Sequence, residues 1–141
     1  MAYCLPSRDY KLFRMYKIYD DPQRMFTEVL YWKEEFKILS YEFKIYTALL
    51  ANQMAERSKS QYVNFDQLYE RLEGLTKTNE ILGNLVTISD NKWEGIRECD
   101  DLQCEAHFLE EYVELKQKVE SYLADVRSLK KIMIGELYPK D

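Results

Sequence analysis

Apolar residues recur along this chain at alternating gaps of three and four, in three separate stretches. In the first, Val29, Phe36, Phe43 and Leu50 take one position of a heptad, and Trp32, Leu39 and Tyr46 take the other. Met54 extends the same face. At 3.6 residues per turn these side chains share one side of a cylinder, which predicts an amphipathic helix. Asp21 suits the N-cap and Pro22 the first helical position. The polar link Ser58-Lys59-Ser60-Gln61 marks the end, so the helix is expected over 22–57 and about 54 Å long.

The second stretch reads Phe65, Leu68, Leu72, Leu75, Asn79, Leu82 and Val86 and predicts a helix over 64–87. Asn64 and Gln67 have the spacing of a capping box. Asn79 falls on the apolar seam, where a polar residue weakens packing but can fix register. Gly74 and Gly83 each lower helix stability by about 1 kcal/mol relative to Ala, and Gly83-Asn84 reads as a kink or stop. Ser89-Asp90-Asn91 and Gly95 read as a connection across 88–99, with a short helical turn at Trp93 and Ile96; either this segment completes the shorter second leg, or the ends of the long helices project. The third stretch is the most regular: Phe108, Tyr112, Leu115, Val119, Tyr122, Val126, Leu129 and Met133. Its helix is expected over 100–135. Asp100 and Asp101 sit at the positive end of the dipole, Lys130 and Lys131 lie near the negative end, and Gly135 is the stop before Pro139.

Short links between long helices favour sequential antiparallel packing. The expected fold is therefore all-α: an antiparallel three-helix bundle of long, coiled-coil-like helices over 21–137, preceded by an arm or short helix over 1–20. Composition agrees with this. The 141 residues suit one domain, and 4 Gly and 3 Pro are too few for a turn-rich β fold. A hydrophobic fraction of 46% with 32% charged residues excludes a disordered chain. No apolar run approaches the ~20 residues of a membrane span, and the N-terminus lacks the apolar region of a signal peptide. The three cysteines, Cys4, Cys99 and Cys104, form no disulfide framework. These features lead to the expectation of a cytoplasmic protein with reduced thiols.

Charge is uneven. Residues 1–19 carry Arg8, Lys11, Arg14 and Lys17 against Asp9, leaving −8 for the rest of a chain whose net charge is −5. Tyr10, Phe13, Arg14, Tyr16, Lys17 and Tyr19 interleave rings and cations, the pattern that single strands of nucleic acid or anionic surfaces take. The acidic remainder repels phosphate, so nucleic acid is not the expected partner. These six residues are instead a candidate interaction surface, or a face that packs on the bundle.

Reactive chemistry is sparse. His107 has Cys104 one turn before it and Glu110 and Glu111 one turn after. The di-iron bundle pattern needs Glu-x-x-His, and Cys104 stands where that Glu belongs. Cys104 and His107 lack a third group for nucleophilic catalysis. Adjacent carboxylates at Glu34-Glu35 and Glu110-Glu111 point about 100° apart and do not converge. No catalytic residue, metal ligand or cofactor is expected. Twelve tyrosines suit core margins and interfaces alike.

The leading expectation is a non-enzymatic bundle that works through protein–protein contact or as a homodimer. One alternative is a ligand-binding or sensing bundle, with Phe36, Phe43, Tyr46, Tyr112 and Tyr122 around a pocket. Another is a metal-dependent enzyme centred on His107. From Trp32-Lys33-Glu34-Glu35-Phe36 through Leu50, and again from His107 to Leu137, the chain resembles uncharacterised small bacterial helical-bundle proteins, with a Trp-led aromatic first helix and a His-led third. The resemblance implies the fold and carries no activity.

Overall fold

The computed structural model describes residues 22–56, 62–97 and 102–138. They form three helices: α1 (Pro22–Glu56), α2 (Tyr62–Arg97) and α3 (Leu102–Leu137). The expected all-α three-helix bundle is what the chain forms. In α1 the core takes Val29, Trp32, Phe36, Leu39, Phe43 and Leu50, with Tyr46 and Met54 half-buried beside them. In α3 all eight predicted seam residues are buried, and Leu109 joins them. Removing each such side chain from water stabilises the fold by roughly 1.5–3 kcal/mol.

Contacts fix the directions of the helices. Phe26 near the start of α1 stacks on Trp93 near the end of α2, while Phe36 and Ser40 farther along α1 meet Asn79. The two helices are antiparallel. Trp93 also packs on Phe108, and Asn79 bonds Tyr122, so α2 and α3 are antiparallel as well. By consequence α1 and α3 run in the same direction. Trp32 stacks on Tyr112 and Phe36 on Tyr122, and Glu42 meets Lys130.

Three expectations need correction. The second helix does not end at 87 but continues through Ser89-Asp90-Asn91 and Gly95 to Arg97. The reason lies in the seam, which goes on at Val86, Ser89 and Trp93 with the same gaps. Ser, Asp and Asn each lower helix propensity by no more than about 0.7 kcal/mol. Burial of the large Trp93 ring outweighs that, and Asp90 is held by Lys33 at 3.0 Å. Helix α2 also begins at Tyr62, two residues before the expected Asn64, a shift of the size by which frayed helix starts differ. Gly135 does not stop α3. The helix passes through it because Leu137 adds one more side chain against the core, and the Tyr138 amide still donates to the Ile134 carbonyl at 2.9 Å.

Candidate interaction surface

The interior is filled by rings and one polar knot. Asn79, 3% exposed, donates from Nδ2 to the Phe36 carbonyl at 3.0 Å and to Ser40 Oγ at 3.1 Å. Its Oδ1 accepts from the Tyr122 hydroxyl at 2.8 Å, and that hydroxyl also reaches the Leu75 carbonyl at 3.1 Å. Each amide hydrogen and the carbonyl of Asn79 has a partner, so the cost of taking this group out of water is offset by hydrogen bonds. Burial pushes the Tyr122 phenol well above its ordinary range. The knot ties all three helices at one level, the kind of position from which a seam Asn can fix register.

Ion pairs close the α1–α3 side. Glu28 accepts from the Tyr112 hydroxyl and pairs with Lys116 at 2.9 Å. Glu42 pairs with Lys130. On the α2–α3 side Glu111 pairs with Lys92 at 3.1 Å, and the exposed His107, one turn before it on α3, lies 3.1 Å from the same carboxylate. Among the described residues, no three of His, Cys, Asp and Glu gather into a metal-holding group. Tyr112 and Tyr122, proposed as pocket-lining phenols, are both buried and stacked on partner rings. Depressions occur as open troughs between helices. One of about 180 Å³ lies between α2 and α3 over Leu85, Ile88 and Leu115. Another of about 220 Å³ runs between α1 and α2 above Asn79.

The outer face of α1 differs from this. Tyr31, Ile38 and Ile45 recur every seventh residue, and Tyr41 falls three after Ile38. They are 62%, 51%, 59% and 70% exposed, respectively. On a helix these positions lie across the cylinder from Trp32, Phe36, Leu39 and Phe43. Helix α1 therefore carries two apolar stripes, one in the core and one in solvent. Taking ~200 Å² for a ring or branched side chain of this size, the outer stripe exposes on the order of 450 Å² of largely apolar surface. The continuous part runs from Ile38 through Tyr41 to Ile45, with Glu34 between it and Tyr31, and is of the size of the largest apolar patch on a typical monomer, which is often functional. Smaller exposed groups occur on α2 at Ile81, Leu85 and Ile88, and on α3 at Ile132 and Ile134.

Tyr31 and Tyr41 are two of the chain's twelve tyrosines, and the count alone does not join them to Ile38 and Ile45. The signal was available as a second heptad on the same helix, out of phase with the first. The six arm residues Tyr10, Phe13, Arg14, Tyr16, Lys17 and Tyr19 lie outside the described residues, as do Asp21, Cys4, Cys99, Asp100 and Asp101. Among the described residues, no helix is long and apolar enough to cross a membrane. No protein-family model, curated protein or solved structure matches the chain.

Proposed function

We propose that this protein is a non-enzymatic, cytoplasmic helical bundle that acts through protein–protein contact, and that the outer face of α1 is its contact surface. The observation that carries the reading is the solvent-exposed stripe of Tyr31, Ile38, Tyr41 and Ile45. The same helix already buries a full seam, so the outer stripe is not needed to fold the monomer. Tyrosine and isoleucine on a rigid helix are well suited to this role. They bring large area with few side-chain torsions to immobilise, and the tyrosine hydroxyl tolerates both water and an interface.

Photo-cross-linking in the cells that make the protein tests the surface. A benzophenone amino acid in place of Tyr31 or Tyr41 is expected to give adducts of defined mass. The same group at Glu73, exposed on α2, is expected to give none. Equal labelling from all three positions, or no adduct from any, would overturn the assignment.

A further inference from the structure

We infer that the outer face of α1 pairs with α1 of a second copy of this chain, the two helices running parallel about a two-fold axis. This deepens the contact-surface reading above and rests on it. The outer stripe has the heptad spacing of a two-helix seam: Tyr31, Ile38 and Ile45 at one position, and Glu34, Tyr41 and Ala48 at the other. Within parallel coiled coils, branched isoleucine at the first of these positions suits a two-stranded pair over larger assemblies. The seam is continuous where it matters, from Ile38 through Tyr41 and Ile45 to Ala48, all on the exposed side of α1.

The flanking charges select the occupant and its direction. Lys37 and Lys44 line one edge of the stripe, and Glu35 and Glu42 line the other. Opposite edges meet when two such helices run parallel. The lysine edge of each copy then faces the glutamate edge of its mate, with Lys37 set against Glu42. Like edges meet when the helices run antiparallel, and lysine would face lysine. The pattern is thus self-complementary in one direction. Within one chain Lys37 already lies 3.2 Å from Glu34, and Lys44 lies over the Tyr41 ring at 5.7 Å. Glu42 is drawn toward Lys130. Glu34 is the charged member of the seam and meets its own copy across the axis, with the Lys37 ammonium beside it. The stripe supplies about half of the ~800 Å² that a standard interface takes from each partner. The dimer is therefore expected to dissociate on dilution.

Sedimentation velocity of the full chain from about 1 to 300 μM is expected to show a monomer–dimer equilibrium within that range. The exposure of Ile38 lets Ile38→Glu keep the helical circular dichroism of the parent, while its dimerisation is expected to weaken at least tenfold. Mild oxidation of Ala48→Cys is expected to give a Cys–Cys peptide joining position 48 to position 48, mapped by mass spectrometry against the unmodified chain and its native cysteines. In a parallel pair these positions are neighbours. In an antiparallel one centred on the seam they stand more than ~20 Å apart. A monomer at every concentration would overturn the inference, as would a dimer indifferent to Ile38→Glu or a dimer that forms no 48–48 link. Defined adducts from Tyr31 and Tyr41 to a different protein, combined with a monomer in the centrifuge, would remove the second copy yet leave the contact surface standing.

Discussion

At the level of Asn79 the three helices meet around polar atoms, whereas at the level of Trp93 they meet around rings. In the first layer the two Asn79 amide hydrogens go to the Phe36 carbonyl and Ser40 Oγ, and the single Tyr122 hydroxyl proton is shared between Asn79 Oδ1 and the Leu75 carbonyl. In the second, Trp93 lies between Phe26 and Phe108, and its buried indole nitrogen has no acceptor. Asn79 and Tyr122 in the first layer and Trp93 in the second are buried, while Ser40 stands at the exposed edge of the first. The ring layer gains area and tolerates an imperfect fit. The polar layer gains little net energy, but every displaced arrangement leaves a buried group unpaired, at about 1–3 kcal/mol each. Strength and specificity are thus concentrated in different layers of one bundle.

Trp93→Ala should have the largest effect on this contrast, lowering stability by about 3–5 kcal/mol in urea unfolding. A loss below ~1 kcal/mol would mean that the end layer contributes little. Tyr122→Phe comes next. It keeps the stack on Phe36 but strands Asn79 Oδ1, for a loss of about 1–3 kcal/mol. The same hydroxyl sets an alkaline limit. Burial favours the neutral phenol in the folded chain, so its proton affinity there is raised. The stabilisation is complete below the unfolded value near about 10 and is lost as pH climbs beyond it. Stability measured from pH 9 to 12 should fall less steeply in Tyr122→Phe than in the parent, and identical slopes would contradict the assignment. Trp93→Phe should lose less than about 1.5 kcal/mol, because it retains a ring and removes the unpaired N–H. Gly83→Ala should raise stability slightly, by about 0.5–1 kcal/mol. A methyl group there would stand 3.9 Å from Phe36 Cβ, an ordinary contact, and a destabilised variant would show that α1 and α2 need the closer approach.

The helical seams were legible because one physical rule, burial of a stripe at helical period, decides them nearly alone. The same rule governs 88–97. Ser89, Asp90, Asn91 and Gly95 are poor helix formers, but local preference yields where a tryptophan three or four residues on belongs to the core. Gly135 misled in the same way. Asn79 was readable as a register residue, yet its partners were not, since Tyr122 and Ser40 reach it from other helices. The outer stripe of α1 was missed for a different reason. One buried face is enough to account for a helix in a bundle, and Tyr31, Ile38, Tyr41 and Ile45 form a second face out of phase with it.

Helices α1 and α3 point the same way, and what joins them lies far apart in the chain: Tyr112 and Lys116 reach Glu28 from 84 and 88 residues away. The knot bonds that join α2 to either neighbour span 39 to 47. Ring closure over the longer span is entropically dearer, so each hairpin with α2 should assemble before the outer legs engage. Weakening the outer legs, as in Lys130→Met, is then expected to steepen escape from the native state while leaving the refolding arm of a chevron unchanged. A slower refolding arm would mean instead that first and third legs meet early, with the middle leg threading between them.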